Sequence, residues 1–247
     1  MYKALLSTDW NQCLAPCGPF DALAFHYPLH AAALETIFRQ YTGNAISLGQ
    51  AARKIKDLFP AGLGPDQMDL YLDQGFRTYR GVADLMTWCR EHQVLFMVNT
   101  TGMIGYFQRV LARNLLPPIP VLSAHPLVRF DSLSSDPTQI LVLQETSDKA
   151  LNTAAVAKQH GIEPDKIFLM GDSGGDGPHF EWGARVGATL IGSMTKPSLQ
   201  RYCRERGFKI NHYIGQLDEG QEPMSPDQEM TCNFLDISHL IQAALRQ

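Results

Sequence analysis

The 247-residue chain has no excess of positive charge: 21 Lys and Arg stand against 25 Asp and Glu, a formal net charge of −4, with a pI near 6.0. Gripping a phosphate backbone takes a concentrated basic face, so no nucleic-acid partner is expected. Long hydrophobic runs are also missing. No stretch approaches the ~18–20 apolar residues of a membrane span, and no membrane association is expected. The opening Met1-Tyr2-Lys3-Ala4-Leu5-Leu6 breaks at Ser7-Thr8-Asp9, short of a signal peptide's apolar core. Cysteines are few and scattered: Cys13, Cys17, Cys89, Cys203 and Cys232. An odd set without an export signal reads as reduced thiols in a cytoplasmic protein. Cys13 and Cys17 lack a second Cys or His pair at zinc-finger spacing, so two ordinary buried thiols is the favoured reading. Internal repeats and low-complexity segments are absent as well.

What is present is a globular composition, 45% apolar and 19% charged, long enough to bury a sizeable core in one large domain or one domain with a smaller insertion. A monomer or homodimer is expected. Short apolar runs alternate with amphipathic ones, which argues for a parallel sheet with crossover helices. Strands are expected at residues 4–6, 94–98, 121–123, 166–170 and 188–191, with a hairpin formed by Phe130 and residues 140–143. Helices are expected at residues 82–92, 103–114, 148–160 (stopped by Gly161), 178–186, 197–206 and 237–246. Between residues 21 and 80 no strand is evident; helical runs fill 29–41, 47–58 and 65–75. Ser47 with Gln50 three residues on has the form of a capping box, and Pro65 suits a first helical position. Residues 216–228, acidic with Pro223 and Pro226, read as a loop. The expected fold is α/β: a Rossmann-like parallel sheet with helices on both faces (residues 1–17 and 81–247), carrying a helical cap (residues 18–80) inserted after the first strand.

Three acids lie directly after apolar strands: Asp9, and Asp172 and Asp176 behind Ile167-Phe168-Leu169-Met170-Gly171. In a parallel sheet all C-terminal strand ends open on one edge, where ligands bind. Carboxylates gathered there without a counterion repel one another and titrate upward. Mg²⁺, a hard cation preferring oxygen ligands, resolves that conflict and leaves room for a phosphate. The bland alternative is that these acids cap the following helices. Thr100, in Asn99-Thr100-Thr101-Gly102, offers a hydroxyl beside the amides of a helix start, a place for an anion. Lys149 opens a helix, where a cation opposes the dipole, which suggests a task elsewhere such as neutralising a phosphate.

That set, in that order, resembles the haloacid dehalogenase-like hydrolase superfamily, in its phosphoserine-phosphatase-like branch. Its first motif, Asp-x-Asp-x-Thr, reads here Asp9-Trp10-Asn11-Gln12-Cys13; Thr100 with Gly102 matches the second, Lys149 the third, and Gly171-Asp172-Ser173-Gly174-Gly175-Asp176 the fourth. Ser123-Ala124-His125-Pro126-Leu127 is similar to a segment after the third strand, with His125 where Asn is usual. The resemblance, over residues 4–192, implies an aspartyl-phosphate on Asp9, a small phosphorylated metabolite as substrate, and Mg²⁺ held by Asp9, Asp172 and the backbone carbonyl of Asn11, with Asp176 orienting the shell. It implies Thr100, Thr101, Gly102 and Lys149 as the phosphate-binding residues. Asn11 departs from the motif. An amide cannot trade protons as the second Asp does, and losing general acid–base help costs ~10²–10⁴-fold, so alkyl phosphates are expected to be poor substrates.

Gly171-Asp172-Ser173-Gly174-Gly175 also matches a trypsin-like nucleophile segment, but that needs a disulfide-bearing double β-barrel and an earlier catalytic His. Three readings stay open: a Mg²⁺-dependent phosphohydrolase or phosphotransferase; a weak or silenced relative that binds metal and an anion; and a metal-free dehalogenase-type hydrolase using Asp9. Arg39, Arg53, Lys54, Lys56, Arg77 and Arg80 are the basic residues of the helical segment, either a solvated face or a contact for an acidic substrate group. Trp10 either lines the entrance or packs beneath the helices. His125, His179 and Trp182 are placed near the presumed site.

Overall fold

The computed structural model describes residues 1–43, 45–215 and 224–246. Seven strands form one sheet: β1 (Ala4–Thr8), β2 (Val94–Met103), β3 (Val121–His125), β4 (Gln139–Val142), β5 (Ile167–Gly171), β6 (Thr189–Ser193) and β7 (His212–Ile214). Their order is β4-β3-β2-β1-β5-β6-β7, and every pair is parallel. A parallel sheet covered on both faces needs strands apolar all along rather than alternating. β1 and β5 meet that demand: each of their residues is buried. Ala4, Leu6, Phe168 and Met170 pack into one core, Leu5, Ile167 and Leu169 into the other.

The helices are α1 (Asp21–His26), α2 (Ala31–Thr42), α3 (Leu48–Leu58), α4 (Pro65–Gly75), α5 (Val82–Glu91), α6 (Ile104–Ala112), α7 (Asp148–His160), α8 (Gly177–Val186), α9 (Pro197–Glu205), α10 (Pro226–Thr231) and α11 (Ile237–Leu245). Among the described residues none is long and apolar enough to cross a membrane. Ser47 and Gln50 form a reciprocal capping box on α3, Pro65 opens α4, and Gly161 ends α7 in the left-handed conformation at φ 63°.

The helical run between β1 and β2 is tied down at two places. Arg109 on α6 forks onto both oxygens of Asp69 on α4 at 2.7 and 2.6 Å, and Arg113 pairs with Asp73. At the other end, Glu145 of the loop before α7 receives three hydrogen bonds from the N-terminus of α3. Ser47 Oγ (2.9 Å) and the Gly49 N–H (3.1 Å) donate to Oε1, and the Leu48 N–H (3.0 Å) to Oε2. A helix N-terminus carries unsatisfied N–H groups and partial positive charge, so a carboxylate suits it. The approach is close enough that a Cβ at Gly49 would lie 2.6 Å from Glu145 Oε1.

The structure corrects several expectations. No hairpin forms at residues 130–143: β4 runs parallel to β3, Val121 opposite Gln139 and Ala124 opposite Val142. The connection is a helix-free crossover, held by Gln108 of α6, whose Oε1 accepts the Phe130 N–H (2.8 Å) and whose Nε2 donates to Asp136 Oδ2 (2.9 Å). The acidic loop expected at residues 216–228 is part helix, since α10 begins at Pro226 behind the Ser225 cap; its residues 216–223 lie outside the described residues. β7 and α1, of three and six residues, are too short to produce a readable period.

Candidate active site

The chain leaves β1 for β2, β3 and β4 on one side of the sheet and later returns to β5 on the other. The order therefore reverses between β1 and β5, and a crevice opens outside their C-terminal ends. Register brings the acids there: Thr8 lies opposite Met170, and the Asp9 N–H donates to the Met170 carbonyl at 2.9 Å. Asp9 and Asp172 thus leave adjacent strands at the same level. On the other flank Thr8 pairs with Val98, which sets Thr100 two residues beyond the rim.

Asp9, Asp172 and Asp176 each offer an oxygen within 4.8 Å of the others. Lys149, 1% exposed, stands among them, its Nζ 3.1 Å from Asp9 Oδ2 and 2.6 Å from Asp176 Oδ1. Burial alone would lower its pKa, but Asp176 and Asp9 hold it above the usual lysine range. The second oxygen of Asp176 accepts the N–H groups of Asp172 (3.0 Å) and Ser173 (3.3 Å). Asp176 is thereby fixed from both sides. Asp9 accepts the Trp10 N–H at 2.7 Å; burial pushes its carboxyl up, Lys149 pulls it down, and Asp176 adds to the rise.

Beneath Lys149 lies a buried polar network. Asn99 Nδ2 donates to Ser7 Oγ, the Lys149 carbonyl and Thr153 Oγ1 at 3.2, 2.9 and 2.9 Å, and His179 Nε2 meets Thr153 Oγ1 at 2.9 Å. Burial, with Lys149 nearby, depresses His179 to about 3, so its imidazole is neutral. The network holds the first turn of α7, and with it the root of the lysine.

Asp172 has a further cationic neighbour, Lys196, in the loop between β6 and α9. Its N–H donates to the Asp172 carbonyl at 2.8 Å, and its Nζ lies 2.8 Å from Asp172 Oδ2. That oxygen is buried with no aligned hydrogen-bond donor. Burial drives the Asp172 carboxyl up to about 7 against the pull of Lys196, helped by Asp176 and Asp9.

This donor set fits a divalent cation. The oxygens are hard, they converge, one lacks an aligned donor, and three carboxylates face two ammonium groups, leaving a net charge of −1.

Two cavities meet at this edge. The smaller, about 60 Å³, is lined by Asp9, Thr100, Thr101, Gly102, Lys149 and Asp172, with Tyr41 of α2 reaching in. That is room for a small polar group such as a phosphoryl. The larger, about 410 Å³, lies against α1 and α2 and is lined by Asp21, Leu34, Glu35 and Arg39 among others. Asn11, Phe20, Phe38, Thr42 and Lys196 line both. Asn11 is exposed, and its amide rests on Gly18, where a Cβ would collide with it.

The eight residues singled out in the sequence, Asp9, Asn11, Thr100, Thr101, Gly102, Lys149, Asp172 and Asp176, thus lie at one rim. Other nominations have different surroundings. Trp10 is fully buried, stacked on Phe76 and edge-on to Phe107, so it packs beneath the helices. His125 accepts the Leu127 N–H and lines a separate cleft with Arg53, Lys56 and Glu145. Trp182 stacks on His179 and packs against the core on the other face of the sheet. Arg39 lines the larger cavity, paired with Glu35. Ser173, the residue of the protease-like segment, is buried in a parallel α/β fold. The sequence reading missed Lys196, Tyr41 and the aromatic pair Phe20–Phe38. Lys196 had a usable signal, since it follows the apolar strand β6 as Asp9 follows β1.

No family model and no curated protein sequence matches the chain. Solved structures do. A phosphoserine phosphatase solved as a phospho-aspartyl intermediate analogue aligns over 88% of this chain and 96% of its own, at a TM-score of 0.65 and 16% identity. A HAD family hydrolase from Salmonella enterica serovar Typhi aligns over 86% and 68%, at 0.63 and 16%. A probable phosphoserine phosphatase from Vibrio cholerae aligns over 98% and 65%, at 0.60 and 11%. The chain has the haloacid dehalogenase-like fold in the form those phosphatases carry.

Proposed function

We propose that the protein is a Mg²⁺-dependent phosphohydrolase or phosphotransferase acting on a small phosphorylated metabolite, with Asp9 as nucleophile and residues 18–80 as a cap over the site. The observation that carries this reading is a carboxylate at the sheet's reversal point, 3.1 Å from a buried ammonium and facing a cavity of phosphoryl size. The neighbour captured as a phospho-aspartyl analogue is consistent with it.

In this reading an oxygen of Asp9 adds to phosphorus, and Lys149 with Thr100, Thr101 and Gly102 binds the equatorial oxygens as charge develops on them. Asp9, Asp172 and the Asn11 carbonyl would hold the metal, with Asp176 fixing Lys149 and the Asp172 backbone. When bound, Mg²⁺ neutralises the facing acids and polarises the phosphoryl group. The buried pair Asp172 and Asp176 favours this reading over metal-free dehalogenation.

The test is acid-quench mass spectrometry of protein incubated with phosphate esters and Mg²⁺. Phosphate is expected on Asp9, and Asp9→Asn is expected to abolish turnover by on the order of 10⁴-fold or more. Turnover that survives Asp9→Asn would remove Asp9 as the nucleophile. Mg²⁺ is also expected to raise the Tm of the unliganded protein, as any ligand of the native state does; a Tm unmoved by millimolar Mg²⁺ would leave no metal site.

A further inference from the structure

The boundary between the two cavities restricts what can leave. A substrate with its phosphoryl group beside Asp9 carries its leaving group out past Asn11, Phe20, Phe38, Thr42 and Lys196, the residues that line both spaces. None of the five is a carboxylic acid, a thiol or an imidazole. The acids of the larger cavity are otherwise engaged: Asp21 Oδ2 accepts the Gly18 N–H at 2.6 Å, and Glu35 pairs with Arg39. Neither lines the smaller space. The charge at the boundary is the ammonium of Lys196.

Lys196 is placed there deliberately by the backbone. Met194, two residues before it, sits at φ 44°, in the left-handed region that L side chains seldom adopt. Its N–H bonds to the Ile214 carbonyl at 2.9 Å, and the Lys196 N–H bonds to the Asp172 carbonyl at 2.8 Å. The bend lays the lysine across the rim. Lining the same two spaces, Phe20 and Phe38 meet edge-on with centroids 4.7 Å apart, an apolar rim suited to a flat ring.

We propose, resting on the phosphoryl-transfer reading above, that the substrate is a phosphate ester whose bridging oxygen sits on an sp² carbon, an aryl or enol phosphate, and that Lys196 stabilises the departing oxyanion. In the first step Asp9 forms a P–O bond and the bond from phosphorus to the bridging oxygen breaks. Its electron pair stays on that oxygen as an aryloxide or enolate, charge-paired with Lys196 and protonated by solvent after release. In the second step water adds at phosphorus, the P–O bond to Asp9 breaks, and both water protons leave on inorganic phosphate. An alkoxide, with a conjugate acid near the pKa of water at about 15.7, is too basic to leave this way; a phenolate, near 10, is not.

The test uses substituted phenyl phosphates and a primary alkyl phosphate at saturating Mg²⁺, with kcat/KM plotted against leaving-group pKa. A steep dependence is expected, about 100-fold or more between 4-nitrophenyl and phenyl phosphate, with the alkyl ester slower still. Lys196→Met is expected to slow phenyl phosphate at least ~10-fold more than 4-nitrophenyl phosphate, and Lys196→Arg to restore most of the difference. Asn11→Asp is expected to flatten the dependence and raise alkyl phosphate turnover at least ~10-fold. Wild-type protein that turns over alkyl and phenyl phosphates equally, or a Lys196→Met variant that slows all esters alike, would overturn the proposal. Mass spectrometry separates the two levels. Phosphate on Asp9 with a flat dependence defeats this inference alone, whereas no phosphate on Asp9 from any ester defeats the phosphoryl-transfer reading and this inference with it.

Discussion

The two cavities that meet at Asn11 are walled by different materials. The smaller takes Phe38, Tyr41 and Thr42 from α2 but is otherwise lined largely by the ends of sheet strands and the first turn of α7, with Lys149, Asp172 and Asp176 all at most 2% exposed and locked by one another and by backbone N–H groups. The larger is walled by α1 and α2, with Leu34 buried but Glu35 and Arg39 in solvent. Buried charges are held in place because every alternative arrangement leaves one unpaired in a medium that solvates it poorly. Helix side chains facing water carry no such penalty. The strand side is built for one fixed geometry, and the helix side is free to vary.

The sharpest way to break this contrast is to remove a cation from each side. Lys149→Met leaves Asp9 and Asp176 without their counter-charge, and unfolding free energy by urea titration is expected to fall by about 3–5 kcal/mol. Lys196→Met, at a position 41% exposed, leaves the 2% exposed Asp172 without its cation but free to take up a proton, and is expected to cost less, about 1–2 kcal/mol. Equal losses would end the distinction.

A second probe is pH. His179 is neutral in the fold because its pKa lies near 3, while in the unfolded chain it titrates near 6.5. Between those values the unfolded state binds the extra proton, so stability falls as pH falls. The wild type is expected to lose about 2 kcal/mol between pH 7 and pH 5 through this residue. His179→Gln removes that slope, and a variant with the wild-type slope would place the acid sensitivity elsewhere.

The smallest effects belong to the ties that hold the helical segment. Glu145→Ala removes three hydrogen bonds and a dipole partner from α3, an expected cost of about 1–2 kcal/mol seen as faster amide exchange over residues 48–58. Gly49→Ala is expected to reproduce it by blocking the approach. Arg109→Ala, which cuts a partly exposed pair with Asp69, is expected to cost about 1 kcal/mol or less.

Much of the core was legible because its physics is local. A run such as Leu5-Leu6 before Ser7-Thr8-Asp9, or Ile167-Phe168-Leu169-Met170 before Gly171-Asp172, announces both a strand and the acid at its end. The β4 error has the opposite cause. A four-residue strand is too short for its pattern to tell a parallel neighbour from an antiparallel one, and the crossover that makes β4 parallel is held by Gln108, a contact between distant segments. Tyr41, Phe20 and Phe38 escaped notice because an aromatic on an amphipathic helix has the pattern of ordinary core. Glu145 escaped because its partner is 98 residues away.

By itself the amino-acid order determined the parallel α/β architecture and the roster of acids, hydroxyl and lysine at the strand ends, since burial pattern and terminal residue type are written along the chain. Tertiary structure decided the rest. Lys196 against Asp172, the aromatic pair that lines the same cavities, and the amide of Asn11 between them are juxtapositions of segments far apart in sequence, and the Coulomb and packing terms that give them meaning depend on distance in space.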